Sequence, residues 1–372
     1  MYITLLKNRK HELSAAKKLS DCFSDNLIPY FEIIQDEYRK IYIKDEAGEF
    51  ITQPQITKTG KTRNIRVLAE PREEDIVTLD NINKIINGKI AFIDFFRFSI
   101  PEKEYPDFAI DKVLLAYKLS HEFNYYEKRI FELKAYSNFI PVLSIKKGLE
   151  LDRIQFSDLI RKMQEVFPSI AIRVTSDVFL KYKTELERMM RSDDYFFFDI
   201  RKKPARSMVI EFMKLKNIFC RKILLNSPRP IDKKNGDYEK TSATIFINNE
   251  AVELYEKSGF DGVGDFSGLK DELPKDGGSK GLGTALSLLY NYQDNKFYSF
   301  KNDDVKDGLG GYKNVVSDIL ANVSMLGENT NCLALSHIRS MPNTKTYGNW
   351  GTWNELTILR YIHQQFLKQN KN

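Results

Sequence analysis

At 372 residues, with 42% hydrophobic and 29% charged side chains, the chain carries enough apolar material for a sizeable core, which excludes a largely disordered state. A net charge of +6, drawn from 57 basic and 51 acidic residues, falls short of the bias of a dedicated nucleic-acid coat and names no partner. Three distant cysteines, Cys22, Cys220 and Cys332, form no CxxC pair and support neither a disulfide framework nor a cysteine-rich zinc site.

The chain opens on a strand-helix unit, Tyr2 to Leu6 followed by Lys10 to Phe23 with Leu13, Ala16 and Leu19 at helical spacing. Met1 to Lys7 turns charged too soon for a secretory leader, and no apolar run approaches the roughly 18 residues of a membrane span. The expected compartment is therefore the cytoplasm, with no membrane partner. Leu27 to Ile34 reads as a second strand. Residues 36–70 then look like an inserted β excursion, with alternating pieces at Lys40 to Lys44 and Asn64 to Leu68. From Glu73 to Ile86 a helix resumes.

Strands at 90–96, 138–145, 168–175, 194–200 and 220–226 next alternate with helices near 109–135, 154–166, 177–190 and 203–216. Alternation of this kind predicts parallel strands with right-handed crossovers. A helix from Glu250 to Lys257 and an eighth strand at Asp261 to Gly268 complete the pattern. The expected fold class is α/β, a (β/α)8 TIM-barrel-like domain over 1–284. A C-terminal α+β cap over 285–372 contains a hairpin around Asp294-Asn295 and helices near 312–325 and 353–368.

Six of the strands end in a charged or amide residue: Glu32, Asp94, Arg173, Asp199, Asn226 and Asp265. In a β/α barrel those ends converge on one rim, where essentially all characterised barrel sites lie. Glu32, Asp94, Asp199 and Asp265 are the candidate catalytic residues, since carboxylates there can act as general acids and bases or ligate a divalent cation. Arg97, Arg173 and Arg201 suit a phosphate or carboxylate by their forked donors, Lys7 adds a cation, and Asn226 can orient a ligand by hydrogen bonds. The opposing reading is an ion-pair network that closes the barrel top.

Eleven of the nineteen glycines fall between Gly259 and Gly311. Gly264, beside Asp265, and the run Gly277 to Gly283 can bring backbone N–H groups to an anion, although neither a P-loop nor a dinucleotide fingerprint is present. The four histidines show no HxH or HExxH spacing. Trp350 and Trp353 either stack on a base or anchor the last helix. The most basic stretch, Lys58 to Arg66, can contact phosphates or form a solvated hairpin tip.

Several segments together resemble the beta family of bacterial and phage proteins: Leu5-Leu-Lys-Asn-Arg-Lys-His-Glu-Leu13, Ile28-Pro-Tyr-Phe-Glu32, Gly264-Asp-Phe-Ser-Gly268, Leu273-Pro-Lys-Asp-Gly-Gly278 and Gly351-Thr-Trp353. The resemblance implies a barrel-like α/β fold and a setting in bacterial conflict with phage or mobile elements. The resulting expectation is a rim that binds an anionic small molecule, phosphorylated or nucleotide-like, with hydrolysis and a bound divalent cation left open. The alternative is a non-catalytic protein partner in a defence assembly, and direct nucleic-acid binding is a third reading.

Overall fold

Eight parallel strands close into a barrel in the computed structural model, which describes residues 1–56, 60–99, 105–275, 283–327 and 332–369. In chain order, the first strands are β1 (Tyr2–Lys7) and β2 (Leu27–Ile33), followed by an excursion hairpin of β3 (Thr52–Ile56) and β4 (Thr62–Arg66). The barrel resumes with β5 (Ala91–Phe95), β6 (Phe139–Ile145), β7 (Ala171–Thr175), β8 (Tyr195–Asp199) and β9 (Arg221–Leu225). The short β10 (Ser242–Ala243) precedes the last barrel strand, β11 (Gly262–Asp265), which pairs with β1 to complete the closure. Each barrel strand neighbours the next one in sequence, as right-handed βα crossovers require.

These strands form where the sequence is apolar on both faces, because the lumen covers one side and helices cover the other. In β8, Tyr195 and Phe197 face the lumen while Phe196 and Phe198 pack outward, and all are at most 4% exposed. The helices follow the predicted alternation. They include α1 (Lys10–Lys18), α2 (Thr78–Ile85), α3 (Leu114–His121), α4 (Phe123–Glu132), α5 (Arg153–Val166) and α6 (Phe179–Met189). Asp152 caps α5 by accepting from the N–H groups of Ile154 and Gln155, which satisfies two donors the helix itself cannot. Two short helices, α7 (Val209–Met213) and α8 (Ala251–Leu254), serve the last crossovers.

The cap is built as expected from a hairpin, β12 (Leu286–Asn291) with β13 (Lys296–Lys301), and from α9 (Tyr312–Ala321) and α11 (Trp350–Gln369). A further helix, α10 (Leu333–Thr344), runs through Pro342. β10 joins this hairpin as a third strand, so a segment within the barrel half of the sequence completes the cap sheet. No helix among the described residues is long and apolar enough to cross a membrane.

The excursion differs from the expectation. Its ladder lies at β3 and β4, whereas Tyr42 and Lys44 make only isolated bridges to Leu68 and Phe50. A ribbon exposed on both faces has no buried side to set its register, so alternation alone misplaces it.

Gly264 is required by packing. A methyl group there would lie 2.7 Å from the carbonyl of Ile3 and 2.8 Å from Leu225 Cδ2, both on neighbouring strands. Gly264→Ala is expected to lower stability by about 1–3 kcal/mol through overpacking, read as an earlier denaturant midpoint at unchanged slope.

Candidate functional site

Side chains alternate along each strand, so every second residue enters the lumen. From below, the lumen is filled by Ile3, Leu5, Ile28, Tyr30, Phe92, Val142, Ala171, Tyr195, Phe197, Ile223 and Leu225. One step above this apolar fill, the same alternation delivers Lys7, Glu32, Asp94, Ser144, Arg173 and Asp199, and the barrel thus ends in a charged layer. Each of these six is at most 2% exposed.

Arg173 organises that layer. Its Nη1 reaches across the lumen from β7 to Glu32 Oε1 on β2 at 2.6 Å, while Nε and Nη2 hold Asp199 Oδ2 on the adjacent β8 at 3.0 and 2.7 Å. Asp94 Oδ2 accepts from Tyr30 Oη at 2.8 Å and Ser144 Oγ at 2.5 Å, with Arg173 Nη1 at 3.5 Å. Lys7 Nζ bridges Glu32 Oε2 at 2.5 Å and Asp271 Oδ1 at 2.7 Å, and lies 4.5 Å from the centroid of Phe266. Arg201 completes the layer, 3.0 Å from Asp271 Oδ2 and donating to Tyr105 Oη at 2.9 Å. Its backbone adopts φ 55°, a left-handed conformation unfavourable for arginine, with its N–H held by Asp199 Oδ1 at 2.8 Å.

Protonation follows from these contacts. Burial penalises the Lys7 ammonium, but Asp271 and Glu32 outweigh it and hold Lys7 above the ordinary lysine range. Burial likewise pushes Glu32 up, and Lys7 with Arg173 reverses that and keeps it below the usual carboxylate range. Asp94, with burial ahead of Arg173, is raised. Asp271 is lowered by Lys7 and Arg201 against its burial. Lys7 is therefore a committed cation rather than a neutral amine nucleophile.

Three of the four expected carboxylates thus converge, and the fourth does not. Gly264 has the lumen-facing parity on β11, so Asp265 points outward, where its carboxylate accepts from Tyr2 Oη, Tyr361 Oη and Ser267 N at 2.8, 2.6 and 2.7 Å. Burial raises Asp265 to about 6 against those three donors. Arg97 also leaves the lumen: its guanidinium carbon lies 3.8 Å from the Tyr126 centroid on α4, and Nη2 donates to the Ser144 carbonyl. Asn226 is buried, with no partner for its Oδ1 among the described residues and its backbone N–H given to the Gly264 carbonyl. The Gly277 to Leu282 part of the glycine run lies outside the described residues, as does Lys58.

Among the described residues, no group of three or more His, Cys, Asp or Glu is placed to hold a metal ion. The reason is visible in the layer: Arg173 occupies the centre that a cation would take.

Beside the layer, a cleft of about 210 Å³ lies between the loops after β1, β9 and β11 and the cap. Arg9, Arg229, Lys270 and Glu272 face Tyr312, Trp350 and Trp353 across it. Arg229 is 9% exposed and, among the described residues, donates to Tyr238 Oη at 3.3 Å and the Gly268 carbonyl at 3.1 Å. Lys270 donates to the carbonyls of Ile231 and Lys233, at 3.1 and 2.6 Å. Burial, and then the repulsion of Arg229 and Lys275 against the pull of Glu272, lowers the Lys270 pKa.

Neither Arg229 nor Lys270 has a carboxylate within salt-bridge distance among the described residues, and the cleft lining sets Arg9, Arg229 and Lys270 against a single carboxylate, Glu272. Tyr312 stacks on Trp353 at 4.9 Å and meets Trp350 edge-on at 5.5 Å. Strand-end reasoning missed Arg9, Arg229, Lys270 and Asp271 because all four lie in loops. The nearest signal was Arg229, three residues beyond Asn226 and flanked by Pro228 and Pro230. No family model matches the chain, and neither a curated protein nor a solved structure matches it.

Proposed function

We propose that the protein is a cytoplasmic receptor for an anionic, phosphate-bearing ligand of the nucleotide class, bound in the cleft beside the barrel rim. The carrying observation is the pair Arg229 and Lys270, neighbouring cations with carbonyl and hydroxyl partners and, among the described residues, no salt-bridged carboxylate. Their mutual repulsion is relieved by an anion, which gains charge-assisted hydrogen bonds from both. Trp350, half-buried at the cleft wall, offers a face for a base. The buried charged layer sets the loops that carry Arg9, Lys270 and Arg201, and its carboxylates are committed to Arg173, Lys7 and Arg201. In this reading it performs no bond cleavage.

The chain's only two tryptophans both line the cleft, so their fluorescence reports occupancy directly. Titration with nucleoside mono- and diphosphates is expected to change that fluorescence and to raise the melting temperature. Lys270→Gln and Arg229→Gln should each weaken binding about tenfold to hundredfold, the worth of one charge-assisted contact. Affinity should also fall with rising pH as Lys270, lowered from the ordinary lysine range, gives up its proton. Unchanged fluorescence with every phosphorylated compound would remove the proposal.

A second reading, a non-catalytic subunit of an assembly in bacterial conflict with phage, is favoured by the rim being filled with its own ion pairs. That setting rests on the short beta-family motifs alone. Co-purification of the intact chain with a partner whose release needs no nucleotide would prefer it.

A further inference from the structure

We propose that the β3–β4 ribbon is a nucleic-acid-binding element that enters a groove of a duplex. It rests on observations separate from the cleft. From Ile51 to Ala69 the chain has no acidic residue and four basic ones, Lys58, Lys61, Arg63 and Arg66. Lys58 lies outside the described residues.

The ribbon projects from the barrel with β3 wholly exposed and β4 exposed except for half-buried Ile65. An isolated two-stranded ribbon is marginal in water, so this one is held by its root and suited to a partner. The root is a small aromatic clamp. Arg66 packs its guanidinium 4.1 Å from the Phe50 centroid, Lys44 Nζ lies 5.0 Å from the same ring, and Tyr42 meets Phe50 edge-on at 6.0 Å.

Residue types and register then choose the partner. Gln53 lies opposite Ile65 and Gln55 opposite Arg63, so one face presents two amides and a guanidinium as close cross-strand neighbours. These are the side chains that read adenine and guanine edges bidentately, and a two-stranded ribbon fits the major groove. Thr62 and Asn64 share the other face with Thr52 and can donate to the flanking phosphates, while Arg66 on that face stays in the root clamp.

Addition of a protein strand to the ribbon is disfavoured. Pro54 pairs with Asn64 yet has no N–H, which places that gap on the outer edge of β3, where an added strand would need a donor.

The test uses the intact chain and a labelled duplex of about two helical turns, read by fluorescence anisotropy over a range of salt. Binding at low salt is expected, falling linearly on logarithmic axes as salt rises. Lys61→Gln with Arg63→Gln should weaken it by at least about tenfold, reducing the salt slope by about 1 through Lys61 and relaxing discrimination between duplex sequences through Arg63. Both side chains are exposed, so the melting temperature of that variant should match the parent. Gln55→Ala should leave the slope unchanged while reducing discrimination between duplex sequences. No binding at low salt, equal binding by polyglutamate or by a single strand, or indifference to the double substitution would each overturn the proposal.

Discussion

Replacing Arg173 with methionine is expected to lower the free energy of unfolding by about 3–5 kcal/mol, read as an earlier denaturant midpoint at unchanged slope. Methionine matches the buried stem of arginine but cannot hold the three carboxylates that face it. Glu32 would keep Lys7 at 2.5 Å, whereas Asp199 would keep the Arg201 backbone N–H at 2.8 Å but, as a charged partner, only the more distant Arg201 guanidinium at 3.7 Å. Uncompensated buried charge, rather than lost attraction, is the main cost. A triple variant, Arg173→Met with Glu32→Gln and Asp199→Asn, should therefore recover much of the loss.

The pH response separates these cases. Glu32 and Asp271 are held below their ordinary range, so in the parent their contribution is present above the unfolded carboxylate pKa and is lost as pH falls. Without Arg173, Glu32 loses one of its two salt-bridged cations and its pKa rises, so acidification should cost the variant less than it costs the parent. An Arg173→Met protein with parental stability would return the rim carboxylates to the role of chemical groups.

The barrel was legible because strands covered on both faces read as unbroken apolar runs; Tyr195 to Phe198 and Ala91 to Ile93 are examples. The charged layer was legible for a related reason, since a polar residue that ends such a run must leave the apolar lumen at its top. What was overlooked was parity. On β2, Ile28, Tyr30 and Glu32 lie on one face, whereas on β11 the glycines take the inward positions and Asp265 the outward one. Counting by two from the apolar lumen residues would have set Asp265 apart.

The cleft was hidden for a different reason. Arg9, Arg229 and Lys270 follow three different strands and meet only through barrel closure, which no local pattern encodes. α10 was absent from the expected cap helices, and it continues through Pro342 to Thr344. The stretch expected to be one helix over 109–135 breaks at Glu122, where φ −116° and ψ 86° separate α3 from α4.

Asp265→Asn is expected to remove a pH dependence and to stabilise the protein above neutrality. Burial raises Asp265 from 3.8 to about 6, so the folded state holds its proton after the unfolded chain has released it. The sign follows: stability due to this group is fully present below about pH 4, declines as pH rises through that interval, and is gone above about pH 6. The gap of about 2 pH units corresponds to about 3 kcal/mol at about 1.4 kcal/mol each.

Asparagine keeps an oxygen for Tyr2 Oη and Ser267 N, which share Oδ1. Its amide would replace Oδ2 opposite Tyr361 Oη, and that hydroxyl can turn its hydrogen to Asn249 Oδ1 at 3.3 Å, so the tyrosine donor is not stranded. Leucine at the same place leaves two buried tyrosine hydroxyls without this acceptor and should destabilise by about 2–5 kcal/mol at every pH. Because Tyr361 belongs to α11 and Tyr2 to β1, the loss should appear as looser docking of the cap, measured by faster hydrogen exchange along α11. Equal denaturation midpoints for the parent and Asp265→Asn from pH 5 to 8 would show instead that the three donors compensate the buried carboxylate completely.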